Sequence, residues 1–412
     1  MLFASCAKKQ ENDGPLVINL EKNISNFKKV HLSNIAEDVR YILLETNNES
    51  FIEDIRNLDI DSDYIFVSAR GKCILFDSKG KFVSKIGKKG KGPGEYIYPS
   101  AVKIGKKVLF VPSSENLLIY SKTGEFLQSV KNPAWFDVMP FNDNWFPITD
   151  SLFICQVRNV MGDEASKAVV FNINSDTIQL IPNYIKFSRS KISYRSDDGR
   201  AKFYLYKNLL SYREYMNDTL FRFRDNYKLE PSYIFSLGKY QFPPELRGLP
   251  TREYVEKFKK YIWIYDFFET NNFFFFNLSF GIDYPFKTQK EYIINGKTTM
   301  GIAPVLAVFN KINKETFIIQ PSQINDGLNP NGIENDWDGG MNFFPQARIN
   351  DSTLLMSFLP FQLKIFVKSE AFKNSTPKYP EKKKVLEELA NSLDENDNPV
   401  LMLVKLKEYK YE

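Results

Sequence analysis

The 412-residue chain carries 55 Lys and Arg against 50 Asp and Glu, and a formal charge of +5 is too small for this length to suggest a nucleic-acid footprint, which needs clustered positive charge. Apolar residues at 43% and charged residues at 25% exclude a disordered chain, and no apolar run reaches the length of a membrane-spanning helix. A single histidine, His31, excludes multi-histidine zinc sites and the lyases and esterases that rely on several histidines. Carboxylate chemistry, with or without a metal, survives that cut.

In chain order, Pro15 to Leu20 alternates weakly and predicts a strand. His31 lies in Lys28-Lys29-Val30-His31-Leu32-Ser33, a surface strand ahead of the first repeat with no partner constellation for catalysis. A repeat follows. Leu58 to Ile86 aligns without a gap on Val102 to Val130, every matched pair 44 residues apart: Tyr64 to Val67 on Val108 to Val111, Phe76 on Tyr120, Gly80 on Gly124, Phe82 on Phe126. A period of about 40–45 residues with several short strands per unit marks a propeller blade. Gly80 and Gly124 sit where each hairpin must reverse through positive φ.

The pattern loosens downstream. A third unit contains Leu152 to Ile154 and Val169 to Phe171, after an insertion at Met161 to Lys167. A fourth runs from Leu209 to Leu237, with Asn217 to Phe223 as turn and strand. A fifth contains Asn271 to Phe276, Glu291 to Ile294 and a turn at Asn295-Gly296. The four consecutive Phe read as a strand covered on both faces. A sixth contains Thr353 to Phe358 and a strand at Gln362 to Val367. Glu381 to Leu393 is helical, with Leu386, Leu389 and Leu393 on one face, and Val400 to Leu406 is a strand. The fold class is therefore all-β: a six-bladed propeller of mostly four-stranded antiparallel blades, with a short C-terminal helix and a closing strand. One terminal strand must join the last blade to the first, or open edges remain; the residues do not say which.

Two motifs concentrate polar chemistry. Lys85 to Lys91 mixes lysines with glycines and continues into Gly92-Pro93-Gly94-Glu95-Tyr96. No Lys-Ser/Thr follows the last glycine, so this is no P-loop. It reads as a glycine-rich crossover between blades, Pro93 fixing the turn and Glu95 tying down amides, or as a surface anion site using Lys88, Lys89, Lys91, Glu95 and Tyr96. In Asn335-Asp336-Trp337-Asp338-Gly339-Gly340, Asp336 and Asp338 offer hard oxygen donors. If the protein holds a metal, Ca²⁺ is the ion they suit, with other loops completing the shell; the competing reading is an Asx-turn network. Trp337 is a core filler or a sugar-stacking platform. Cys73 and Cys155 read as buried thiols.

Gly92-Pro93-Gly94-Glu95-Tyr96, Asn217-Asp218-Thr219-Leu220, Asp336 to Gly340 and Asp397-Asn398-Pro399-Val400-Leu401 together resemble a bacterial family of six-bladed β-propeller lipoproteins of unknown function, over nearly the whole chain. The resemblance implies export to the cell envelope and supplies no catalytic residues. Leu2-Phe3-Ala4-Ser5-Cys6 looks like a lipobox, so Cys6 is the expected lipidation site, with residues 1–14 as truncated leader and tether and 15–412 as a single propeller domain. The expected protein is a monomeric, envelope-anchored, periplasmic or cell-surface binding or scaffold module, touching the membrane only through lipid and recognising a glycan, a peptide or an envelope protein. The alternative is a metal-dependent hydrolase or lactonase using channel carboxylates.

Overall fold

The computed structural model describes residues 14–99, 101–113, 116–131, 144–189, 200–280, 289–294, 297–302, 304–321 and 331–408. They form six antiparallel blades around a channel. Blade one is Asn57–Ile60, Tyr64–Ala69, Lys72–Asp77 and Phe82–Lys85, and blade two is Lys103–Ile104, Val108–Ser113, Asn116–Ser121 and Phe126–Lys131. The 44-residue offset holds at the level of register. Phe76 pairs with Ile65 and Phe82, Tyr120 pairs with Leu109 and Phe126, and each blade bulges immediately before that aromatic residue. Gly80 and Gly124 take φ of +86° and +89° in the following turns.

Blade three is Trp145–Thr149, Leu152–Gln156, Ser166–Asn172 and Thr177–Pro182. Blade four, Ala201–Tyr206, Leu209–Glu214, Thr219–Phe223 and Leu229–Ser236, gains a fifth strand: Leu16–Asn19 lies parallel on its outer edge. Blade five, Ile262–Glu269, Phe273–Phe280, Val305–Asn310 and Glu315–Ile319, likewise carries Phe27–Lys28 on its outer edge. The N-terminal segment is thus a belt that crosses blades four and five before reaching blade six. There Ala36–Leu43 becomes the outermost strand, antiparallel to Val400–Leu406, with Thr353–Phe358 and Ala347–Arg348 inside. Closure is by an N-terminal strand, and the strand expected at Pro15 to Leu20 serves blade four instead.

Phe273 to Phe276 is buried on both faces: Phe273 and Phe275 pack toward blade six, Phe274 and Phe276 toward blade four. Two expectations are corrected. Gln362 to Val367 is not a strand but lies in a helix, Pro360–Val367. Its buried residues Pro360, Leu363, Phe366 and Val367 follow helical spacing, proline is tolerated in a first turn, and the Gln362 side chain accepts the Leu359 N–H at 2.8 Å. Glu291 to Ile294 is a strand outside blade five. Among the described residues Gln289–Ile294 pairs only with Lys297–Ile302, as a two-stranded excursion between the second and third strands of the blade. The turn expected at Asn295-Gly296 lies outside the described residues. The C-terminal helix, Pro380–Ser392, matches its sequence signal.

Candidate functional site

The innermost strand of each blade lines a central cavity of about 880 Å³. Among the described residues its wall carries seven cationic side chains, Arg56, Lys103, Lys106, Arg200, Lys202, Arg213 and Arg348, against three carboxylates, Asp59, Asp150 and Asp266. The carboxylates hold blades together. Asp59 of blade one accepts the Ile104 N–H of blade two at 2.7 Å. Asp150 of blade three accepts the N–H groups of Lys106 and Lys107 at 2.7 and 2.8 Å. Asp266 of blade five accepts the Lys202 ammonium of blade four at 2.6 Å and the Phe267 N–H at 2.7 Å.

The blade-four wall concentrates the positive charge. Lys202 and Arg213 stand directly opposite one another across neighbouring strands, and Arg200 and Tyr215 continue the same face. Arg200 sits 4.5 Å from the ring centre of Tyr215 and 4.6 Å from that of Tyr265, a cation–π notch at the cavity wall. Tyr215 stacks on Trp263, which stacks on Phe258 at 3.7 Å. That stack belongs to an aromatic cluster with Phe242 and Tyr254, which gives the notch a rigid backing. Arg213 is 5% exposed, lies between Phe235 and Phe267, and among the described residues donates one long hydrogen bond, to the Tyr215 carbonyl at 3.3 Å. Burial lowers its pKa to about 10. Further from the axis Glu269 is fully enclosed and accepts from Arg222 at 2.6 and 2.7 Å, Lys311 at 2.8 Å and the Tyr204 hydroxyl at 2.6 Å. Burial pushes this carboxyl up, but Lys311 and Arg222 outweigh it and hold it below the usual range.

The residues singled out in sequence lie away from this cavity. Lys88 is an exposed side chain 3.2 Å from Glu95, and Glu95 accepts the Gly92 N–H at 2.8 Å. The Gly92 amide, then Lys88, lowers the Glu95 pKa. Lys88–Lys89 pairs in parallel with Glu95–Tyr96, and Lys91 is exposed. Tyr96 is buried; its hydroxyl donates to the Ile86 carbonyl and accepts the Cys73 N–H, both at 3.0 Å. A Cβ on Gly94, at φ +70°, would meet the Phe126 ring at 2.7 Å, so glycine is required there. These contacts are those of a crossover that stitches blade one to blade two.

Asp336 and Asp338 share a loop but turn to different partners. Asp336 accepts the Ser33 N–H at 2.8 Å and the Ser33 hydroxyl at 2.6 Å. Asp338 is buried and accepts from Tyr41, Asn335 and the Gly340 N–H at 2.8 to 2.9 Å; its pKa is raised by burial. Ca²⁺ at this loop would have to displace those donors. Trp337 is buried in the blade-six core against Tyr379. The loop binds the belt and closing strand to the C-terminal region. Asn398 does similar work: its side chain accepts the Ile52 N–H at 2.7 Å and donates to the carbonyls of Glu45 and Ser50. His31 stands at the surface 3.6 Å from Glu334. Cys73 and Cys155 are buried free thiols whose pKa burial raises. Cys6 lies outside the described residues.

Sequence reasoning missed Arg200, Lys202, Arg213, Tyr215 and Tyr265. A signal was present: Lys202, Arg213 and Arg222 stand among aromatic and aliphatic neighbours in strands, where a charge is rarely placed without a task.

Residues 15–405 match a single family model, that of DUF4934, a domain of unknown function. The chain belongs to that family. Among curated proteins none matches. A crystal structure of a protein from Bacteroides fragilis, assigned as exported, aligns at 17% identity and a TM-score of 0.64, covering 95% of this chain and 100% of that one. At this identity the likeness shows the propeller fold alone. A catalytically inactive virginiamycin B lyase from Staphylococcus aureus, with quinupristin, aligns at 10% identity and a TM-score of 0.39, covering 89% and 99%. A Bacteroides caccae protein of unknown function reaches 8% and 0.35, covering 65% and 81%. Neither of these two bears on activity. No helix among the described residues is long and apolar enough to cross a membrane.

Proposed function

We propose that this DUF4934 member is a binding module whose central channel, entered past Tyr215 and Tyr265, receives a glycan or a peptide. The observation that carries the reading is the division of labour on the channel wall. The three carboxylates are committed to hydrogen bonds between or within blades, while aromatic rings and a surplus of cations line the cavity. A hydrolase built on channel carboxylates would need them to converge. Among the described residues no three metal-ligating side chains do so. We also propose that the protein is exported and held at the envelope by lipid on Cys6. The lipobox-like Ala4-Ser5-Cys6 and the exported assignment of the Bacteroides fragilis protein support that reading.

Binding is tested by thermal-shift screening of oligosaccharides and short peptides on wild type and on Tyr265→Ala. A ligand that stabilises the first and not the second supports the channel; a ligand indifferent to Tyr265 and to Gln346→Trp, a bulky substitution on the neighbouring blade-six wall, removes it. Fatty-acid labelling of the full gene product, equal in wild type and Cys6→Ser, would remove the anchor.

A further inference from the structure

Arg213 sets the problem. A guanidinium presents five N–H donors and stays charged at any physiological pH. Here it is 5% exposed, and among the described residues its Nε has no partner and one long hydrogen bond to the Tyr215 carbonyl is all it donates. Among the described residues no carboxylate stands within ion-pair distance of it or of Arg200. The nearby Asp266 is bonded to Lys202. A buried cation with unused donors, on a cavity wall, is an incomplete arrangement unless something else completes it.

Arg200 is the second half. It is a diagonal neighbour of Arg213 on the same face of the sheet, and its plane is held between Tyr215 and Tyr265. Two planar forks on one face of the sheet suit a planar oxyanion better than a point charge suits it, because each fork can donate two parallel hydrogen bonds. Tyr265 keeps 57% of its surface open beside them, a flat apolar face for the C–H side of a sugar ring. Round the rest of the wall stand hydroxyl and amide groups of Asn57, Thr149, Ser151 and Gln346. Among the described residues the Asn57 amide oxygen has no partner. Amides and hydroxyls spread round a wall fit a ligand rich in hydroxyls; an acidic peptide would ask instead for apolar side-chain pockets.

Resting on the binding role proposed above, we infer that the channel takes a carboxylate-bearing oligosaccharide, its uronate group held by Arg213 and Arg200 and an adjoining ring laid on Tyr265. The carboxylate supplies the acceptors Arg213 lacks. No covalent step is involved.

Calorimetric titration of the full chain with trigalacturonate, its methyl ester and triglutamate tests this. Trigalacturonate is expected to bind, and the ester, which keeps the rings and loses the charge, to bind at least about tenfold more weakly, the loss of one charge-assisted hydrogen bond. Arg213→Gln and Arg200→Gln are each expected to weaken trigalacturonate by a similar factor, with Lys88→Ala unchanged. Arg200 is only half-buried, so its variant remains informative if Arg213→Gln fails to fold, which a melting curve reports. Equal binding of acid and ester overturns the carboxylate assignment and leaves a neutral-glycan channel standing. Tighter binding of triglutamate overturns the glycan in favour of a peptide. Binding insensitive to both arginines, or no trigalacturonate binding up to millimolar concentration, overturns the inference outright.

Discussion

The interface between blades one and two and that between blades four and five are built by the same strand geometry and filled with opposite chemistry. The first is Phe66, Leu75, Val102, Leu109, Val111 and Leu118, closed by Tyr96 and Tyr120, whose hydroxyls reach backbone carbonyls. The second packs Phe235, Phe274 and Phe276, but it also holds Arg200, Lys202 and Arg213 with Asp266 on the channel wall and Arg222 and Lys311 with Glu269 further out. An apolar interface stabilises in proportion to the area it removes from water. A charged one must first offset desolvation, and charges are commonly retained where they set specificity or bind something. A fold that can fill blade interfaces with aliphatic side chains has no packing need for five cations between two blades.

The largest expected effect lies in the charged interface. Glu269→Gln leaves Arg222 and Lys311 facing one another without their anion and is expected to cost about 3–5 kcal/mol, read from denaturant unfolding. The triple variant Glu269→Gln/Arg222→Met/Lys311→Met should recover most of that loss; failure to recover would show that the network is needed for folding itself. The same carboxyl gives a pH signature. Its folded pKa lies below the ordinary 4.5, so the unfolded chain takes up the proton first and stability is lost as pH falls below that value. The pH dependence of Tm should be flatter in Glu269→Gln. In the apolar interface, Phe66→Ala is expected to cost about 3–5 kcal/mol with no pH signature. Tyr96→Phe, which leaves a buried amide and carbonyl without their shared hydroxyl, should cost about 1–3 kcal/mol. A Tyr96→Phe variant as stable as wild type would mean that the crossover is held by Glu95 and the glycines alone.

The smallest effects concern the surface motifs. Lys88→Ala should change stability by less than about 0.5 kcal/mol, because its ion pair with Glu95 is solvent-exposed. Calcium titration of metal-stripped protein is expected to be silent, since Asp336 and Asp338 already accept hydrogen bonds from the protein. Heat that disappears in Asp336→Asn/Asp338→Asn would restore calcium to that loop.

These contrasts also explain what could be read from sequence. The middle strands of each blade are covered on both faces, so Ile65 to Val67, Leu109 to Val111 and Phe273 to Phe276 are continuous apolar runs, and the repeat is visible in them. Two of the innermost strands are far shorter: Lys103–Ile104 and Ala347–Arg348 have two residues each. Nothing in such a segment marks it as a strand, yet these strands carry part of the channel wall. Arg213 and Phe267 come together only because blades four and five face one another, and no local pattern encodes that meeting. The glycine-rich and Asp-Gly motifs were conspicuous for a different reason. Tight crossovers demand particular residues, so structural joints stand out in a sequence more sharply than a binding wall does.

The belt has a mechanical consequence. Any load arriving at residue 14 meets the ladder of Leu16–Asn19 on blade four first and that of Phe27–Lys28 on blade five second. Only after both have parted does tension reach Ala36–Leu43, the strand whose loss would open the ring. The two short parallel ladders act as sacrificial bonds in series, so a tug at this end is absorbed in steps while the channel keeps its shape.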